Sequence, residues 1–491
     1  MSERDLSASR PPGSGPGLHE TVLVTRGARR IAILLAIVGF CVLVGLATIV
    51  VRPIQILGAL AGITGVVLVL ARPYLGLLLY TAVDLLRPGE LYPALGVLRL
   101  ERTMAVVALA AMAIEMVRRE GKLLVDRSGQ TRWFVVFLGA VAISVPASYW
   151  PTHSVNVFVD LVKLFAYYLM IVHMARTRGL MRAWVWTYLV LIFYMGQMSL
   201  RSFYSGGAVF AQGIERTHGL TSVGGDPNSL ATTLGSTLGL FLLAGLRDRN
   251  RWGRLLALAG VTLLLWTIAL TGSRGGAVAF LGMLLWLWWQ SRYRLVTGLM
   301  GVLLVVGIYQ ILPAQYQERY ASIGRSELDA SSEGRVEAWK KGVRMVSDRP
   351  LFGVGAGCFG FASAEDYSTS RMRSYLNAHN LFVQLFAETG LVGGAAFLGF
   401  LTIAMATNRR AARMFRSRGT AWRFEAGALD GLMAGFVFLL AASIFGHSLY
   451  RSTWYIFAAA GLALYRLAVT TEASEASVPA GSAVGDGEAV R

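Results

Sequence analysis

Arg216, Arg274 and His379 each stand where a hydrophobic run meets a polar segment, and their types suit ionic chemistry at a membrane boundary. A cationic or titratable side chain beside hydrocarbon is costly, so it is held there by a partner or by a function. Two arginines offer fixed positive charge and paired N–H donors that match phosphate oxygens. An imidazole titrates near neutrality and takes or gives a proton. Together the three would grip an anionic lipid head group and move a proton beside it.

The local contexts favour the same chemistry. Residues 215–234 read ERTHGLTSVGGDPNSLATTL. Gly224, Gly225 and Pro227 interrupt the backbone just ahead of a hydrophobic run, and Asp226 or Asn228 is suited to cap the helix that begins there. Free N–H groups at such a helix start favour an anion, and Arg216 lies upstream in the same loop. Residues 268–280 read IALTGSRGGAVAF, so Ser273, Arg274, Gly275 and Gly276 make the whole turn between two runs. Glycines there allow a ligand or a neighbouring helix to come close.

Residues 377–394 read NAHNLFVQLFAETGLVGG. His379 and Asn380 sit where a long loop re-enters the hydrophobic layer, and Glu388 lies deeper in the same run, suited to helix packing or to a neighbouring arginine. His153, His173, His218 and His447 have no second titratable partner in sequence. No spacing of His, Cys, Asp and Glu suggests a metal site, no cofactor is expected, and there is no phosphate-binding P-loop.

The elements that must position these residues are membrane helices. Of 491 residues, 55% are hydrophobic and only 15% charged, and the apolar residues are gathered into runs. The runs have roughly 15–22 residues, enough to cross ~30 Å of hydrocarbon at 1.5 Å per residue. They are continuous rather than alternating, which argues against a barrel. They lie near 31–51, 54–71, 73–87, 101–118, 133–149, 156–174, 183–200, 228–246, 254–270, 275–290, 294–312, 380–405, 426–446 and 449–467. The second and third are short and joined through Arg72 and Pro73, so they form a tight hairpin or a partly re-entrant pair. The expectation is an all-α polytopic integral membrane protein of 12–14 transmembrane helices.

The net charge of +18 raises nucleic acid as a partner, but the arginines sit in short loops between runs. There they set topology, so the expected partner is the bilayer and not a nucleic acid. Arginine crowds the loops at 118–127, 176–182, 247–254, 292–294 and 408–423, and is sparse at 148–156, 271–274 and 446–451. This alternation puts both termini in the cytoplasm and Arg216, Arg274 and His379 on the other side. The loop at 87–102, with Arg87, Arg99 and Arg102, fits poorly.

The domain reading follows. Residues 1–30 and 469–491 are expected to be disordered cytoplasmic tails, 31–312 and 380–468 carry the helices, 201–227 is an outer loop, and 313–379 is a large outer loop. The first run follows Arg26, Arg29 and Arg30 and reads as a retained anchor rather than a cleaved signal. Cys41 and Cys358 lie in a run and an outer loop, so no disulfide is expected. Within 313–379, Val336, Trp339, Val343 and Val346 recur at helical spacing ahead of Pro350. Arg335, Lys340, Lys341 and Arg344 make the other face, so an amphipathic helix is expected, on the membrane surface or packed on the protein.

At this point the chain resembles the O-antigen ligase and O-antigen polymerase superfamily of bacterial inner-membrane glycosyltransferases. The resemblance runs from about 70 to 450 and rests on ARPYLGLLLY at 71–80, GLTSVGGDPNSLA at 219–231, LTGSRGGAVAF at 270–280, DASSEGRVEAWKKGVRMVSDRPLFGVGAGCF at 329–359 and AHNLFVQLFAETGLVG at 378–393. It implies metal-independent transfer of a glycan from an undecaprenyl diphosphate carrier, at a site facing the periplasm. The acceptor is a lipid A core, another carrier-linked repeat, or a protein. By motif position Arg216 and Arg274 match the arginines expected to hold the diphosphate, and His379 matches the histidine at the acceptor side. Arg335, Glu388, Asp226, Asn228 and Asn380 follow as candidates for binding donor or acceptor. In-line attack would invert the anomeric centre. A transporter or flippase is the alternative from another class, but it would show an internal repeat and helices broken at mid-membrane, and neither is evident in the sequence.

Overall fold

The computed structural model describes residues 53–123, 126–323, 330–367 and 375–476. The chain forms two compact units, 1–68 and 69–491. Of the first, only the helix that starts at Pro53 is described; the second holds everything that follows. The expected run at 31–51 and most of both expected tails lie outside the described residues.

In chain order the helices are α1 (Pro53–Ala71), α2 (Pro73–Leu86), α3 (Pro88–Leu91), α4 (Pro93–Gly96), α5 (Leu100–Glu120), α6 (Gly129–Ser144), α7 (Pro151–Met174) and α8 (Arg178–Tyr204). A hairpin of β1 (Val209–Ala211) and β2 (Ile214–Arg216) follows, antiparallel with Val209 opposite Arg216. Then come α9 (Pro227–Leu240), α10 (Arg251–Leu270), α11 (Arg274–Gln290), α12 (Arg294–Ile311), α13 (Ala314–Ala321), α14 (Ala330–Asp348) and α15 (Phe359–Ala364). The last three are α16 (Leu381–Ser417), α17 (Arg423–Ser443) and α18 (Ser452–Ala476).

The chain is an all-α polytopic membrane protein. Among the described residues α7, α8, α10, α12, α16, α17 and α18 are long and apolar enough to cross a membrane. Of the other expected runs, α2 has 14 residues, α6 has 16 and α11 has 17, while α1 and α5 have 19 and 21. The run at 228–246 is the 14-residue α9 continued by a five-residue π segment, Phe241–Gly245. No residue of α12 is fully buried in the protein, so most of its apolar side chains face outward, where lipid is their solvent, while Ile308 packs half-buried on the cluster of Leu312 and Tyr316.

The core is built around α17, which packs against α9, α11 and α16. Small residues make these approaches close. A Cβ added at Gly427 would lie 1.9 Å from the Leu243 carbonyl oxygen, one at Gly431 2.8 Å from that of Gly239, and one at Gly435 2.5 Å from that of Ser236. Glycines at every fourth position therefore let α17 lie backbone to backbone on α9 and its π continuation, where hydrophobic driving force between helices is absent in lipid.

The Arg-rich loops meet at one end of the bundle. Buried Glu425 takes Arg178 at 2.6 Å, buried Asp248 pairs with Arg182, and buried Asp126 pairs with Arg466. Asp430 takes both Arg247 and Arg416. At the other end, the poorly fitting loop at 87–102 is clasped to the segment before α9, where Glu90 accepts from the Ser222 N–H and hydroxyl at 2.6 and 2.7 Å.

The expected amphipathic helix is α14, but its buried face differs from the expected one. Ala338, Lys341 and Met345 are buried, whereas Val336 and Val343 are exposed. Lys341 was expected on the polar face; its Nζ instead donates to the Ser363 carbonyl at 3.1 Å and lies 3.2 Å from Glu337. Gly342 decides the rotation, because its missing side chain is the space filled by Val383 of α16 and Phe359 of α15.

Candidate functional site

Three helices begin beside one another. Asp226 caps α9, accepting from the Asn228 and Ser229 N–H groups at 2.9 and 3.2 Å. Ser273 caps α11, accepting from the Gly276 N–H at 3.1 Å. Asn380 caps α16, accepting from Phe382 and Val383 at 2.9 and 3.2 Å. A cap satisfies only part of the four free N–H groups at a helix start, and the helix dipole adds partial positive charge there. The starts of α9 and α11 are tied together: Ser273 donates to the Asn228 side-chain oxygen at 2.8 Å.

Between these helix starts lies a cavity of about 630 Å³. Arg274, Arg319, Arg335 and Arg451 line it, against the carboxylates of Asp226 and Glu318. Arg274 is the first residue of α11, and its guanidinium reaches the Ser322 hydroxyl at 3.4 Å. Arg319 is carried by α13, which is strapped down by Tyr316 to the Glu215 carbonyl at 2.6 Å and by Tyr320 to that of Ala269 at 2.8 Å. Its Nε donates to the Gly272 carbonyl at 2.5 Å. Arg451 donates to Thr233 at 2.8 Å and to the Ser229 carbonyl at 3.3 Å, while its buried Nε has no partner among the described residues.

Arg216 is not on the cavity surface. It is buried one layer behind, donating to the Thr271 carbonyl at 2.6 Å, the Asn228 side chain at 3.0 Å and Gln212 at 3.4 Å. Burial, and then the nearby Arg319, bring it down to about 10, so it stays charged at neutral pH. Its direct work is to fix Asn228, Gln212 and the turn before α11, all of which touch the cavity or its rim.

Two imidazoles face the same space. His379 and His447 line the cavity with ring centroids 5.2 Å apart, one ring edge-on to the other. His379 has φ of 44°, a left-handed backbone that a side chain with a Cβ rarely adopts. It is held there from both sides: Trp339 of α14 donates to the Ala378 carbonyl at 2.9 Å, and Asn380 donates to the Ile444 carbonyl at 3.2 Å. Burial, then His447 and Arg335, lower His379 to about 4. His447 is lowered too, by desolvation among the cavity walls although the residue is open to solvent, with Asp226 opposing.

Glu388 lies elsewhere. At Gly390 the helix α16 breaks, with φ of 63° and ψ of −167°. Residues 350–359 fill the break: Leu391 N–H donates to the Pro350 carbonyl at 2.7 Å, and Val354 N–H to that of Ala387 at 2.8 Å. Glu388 fastens the same segment, accepting from Gly357 N–H at 2.9 Å and from Tyr450 at 2.6 Å. Its carboxylate is committed to this brace and does not line the cavity.

Of the residues singled out in the sequence, the structure therefore brings together Arg274, Arg335, His379, Asp226 and Asn228. Asn380 and Arg216 support them from behind, and Glu388 supports the loop. His447, set aside for want of a titratable partner in sequence, finds one in space. Arg319 and Arg451 were not singled out; the only sequence signal was the break GHSLYR at 446–451, which places a His and an Arg between the last two runs. Cys358 is buried and unpaired. Among the described residues no three His, Cys, Asp or Glu side chains gather as a metal ion would need.

Residues 258–398 match the family model described as O-antigen ligase, a match that supports the O-antigen ligase and polymerase superfamily. The match takes in Arg274, Arg319, Arg335 and His379, while the other wall of the cavity, with Asp226, Asn228, His447 and Arg451, lies outside it. No curated protein matches the chain.

Proposed function

We propose that this protein belongs to the O-antigen ligase and polymerase superfamily and transfers a glycan from an undecaprenyl diphosphate carrier to an acceptor hydroxyl, at a site on the periplasmic face of a bacterial inner membrane. The carrying observation is the cavity itself: four arginines, three helix starts and two imidazoles around about 630 Å³. As the anomeric C–O bond breaks, negative charge grows on the departing diphosphate. Preorganised cations stabilise that charge most where water is excluded. Arg274, at the first turn of α11, is best sited for this, and a forked guanidinium takes two phosphate oxygens where an ammonium takes one. Arg216 contributes by holding Asn228 and the α11 turn rather than by touching the phosphate.

His379 is the candidate base. A half-buried neutral imidazole has a free lone pair at neutral pH, and the acceptor hydroxyl loses its proton as it attacks. Attack opposite the leaving diphosphate inverts the anomeric centre. In this reading residues 313–379 are periplasmic and supply the α14 wall, with Arg335 facing the donor or acceptor. The test is transfer by the purified protein from a lipid diphosphate-linked glycan, with a lipid A core, a second carrier-linked repeat and a protein offered as acceptors in separate reactions. Transfer to one of them, lost in Arg274→Ala, supports the reading. Absence of transfer to all three sinks it.

A further inference from the structure

We propose that His447 is a second working imidazole of this cavity, taking over from His379 the proton of the attacking hydroxyl and holding it beside Asp226. This rests on the glycosyl-transfer reading above.

The two rings share one cavity and are in contact, with centroids 5.2 Å apart and planes at 68°. The ring torsion of histidine is broad, and centroids 5.2 Å apart are near enough that a nitrogen of each can reach hydrogen-bond range, about 3 Å, by rotation. Their surroundings are unequal. His379 faces Arg335 from α14 and His447 from the loop after α17, with Asp226 the weakest of its charged neighbours. His447 faces Asp226 from the start of α9 as its strongest charged neighbour, and Arg451 from its own loop as the weaker. The nearest charged neighbours of His379 therefore oppose positive charge there, whereas Asp226 offsets part of the opposition on His447. Asp226 is held as an anion: burial works against this, but hydrogen bonds from Ser229 and Asn228 outweigh it.

The step balances as follows. The acceptor O–C1 bond forms as the C1–O bond to the diphosphate breaks, and that electron pair leaves with the phosphate. The hydroxyl proton goes to one ring nitrogen of His379. A proton leaves the other ring nitrogen for His447, returning His379 to neutrality as its other tautomer. His447 loses the proton to water after product departs. His447 thus acts through His379 and is a positioning and relay residue, not the base itself.

The experiment measures initial transfer rates from a lipid diphosphate-linked glycan between pH 3.5 and 8 for the wild type, His447→Ala, His447→Gln and Asp226→Asn. His447→Ala should lower kcat by about tenfold or more with KM little changed. Its acid limb should move to higher pH, because a positive neighbour of His379 is gone, and added imidazole should restore part of the rate. Asp226→Asn keeps an equally good helix cap but removes the charge, so its limb should move to lower pH. His447→Gln fills the same space without titrating and should be as slow as the alanine variant; it is the reading to use if His447→Ala does not fold. Wild-type rates in both His447 variants overturn the relay. So does a slow variant whose limb is unmoved and which ignores imidazole, since that is scaffolding alone. If the wild type itself transfers nothing, the glycosyl-transfer reading fails and the relay with it; an active wild type with indifferent variants sinks only the relay.

Discussion

The pH dependence of transfer is a direct test of the half-buried imidazole. Burial, then His447 and Arg335, hold His379 at about 4, against 6.5 for the free side chain. The sign is set by the base being the neutral form: it is present above that value and is lost as pH falls through it. At pH 5.5 an imidazole titrating at about 4 is nearly all neutral, so the rate should stay within about 10% of its value at pH 7.5. A solvent-exposed imidazole would be about nine-tenths protonated there, and the rate would have dropped about tenfold. Below pH 4 the loss should approach about tenfold per pH unit. The assay is the initial rate from a fluorescent lipid diphosphate-linked glycan in detergent, with stability checked at each pH. A limb centred near pH 6.5 would refute the argument that burial and neighbouring cations control this residue. His379→Ala should remove the limb together with most of the rate. His379→Gln retaining most activity would reduce the residue to a hydrogen-bonding role.

Three further outcomes can be checked. Arg274→Ala should cut kcat by about 10²-fold or more with poor rescue by lysine, as for other lost transition-state charge contacts, while Arg216→Ala should also lower the melting temperature because Asn228 and Thr271 lose a buried donor. Glu388→Ala should destabilise the detergent-solubilised protein by roughly 1–3 kcal/mol, the cost of leaving the Tyr450 hydroxyl without its acceptor and the Gly357 N–H with only its 3.2 Å contact to Tyr450, with the acid limb of the rate unmoved; unchanged thermal stability would count against the brace. Cysteines at exposed Ser347 and Ser417 should be labelled by impermeant reagents from opposite sides of the membrane, and labelling of both from outside intact cells would overturn the proposed topology.

Much of the site was legible because its residues advertise themselves locally. Asp226, Ser273 and Asn380 are capping types at the start of apolar runs, the first two beside Pro or Gly, and such places are helix starts whatever the tertiary fold. Arg274 sits in a turn too short to face far from the boundary. The remainder depended on neighbours distant in sequence. Nothing near Arg216 says that the Thr271 carbonyl and Asn228 will take its donors and draw it behind the wall. Nothing near Glu388 announces that a loop thirty residues upstream will need an acceptor. His447 gains its meaning only from a ring 68 positions earlier, and Arg319 only from the strap that Tyr316 and Tyr320 make. For α14 the spacing gave the helix but not its face, because side-chain volume on α15 and α16, not its own valines, chose which stripe is buried.

The break at Gly390 also bears on how the protein is made. A helix interrupted within the apolar layer exposes N–H and C=O groups that lipid cannot satisfy, at several kcal/mol each. Here the partner strip, residues 350–359, precedes the break in the chain. Synthesis runs from the N-terminus, so the strip has left the ribosome before Gly390 is polymerised. The helix thus never has to wait unsatisfied for a partner still to be made; what it requires is that the strip already be on the correct side. Biogenesis of the final helices is in this way conditional on earlier delivery of the loop, and a chain whose loop is held back would present an incomplete helix to the insertion machinery rather than a misfolded active site.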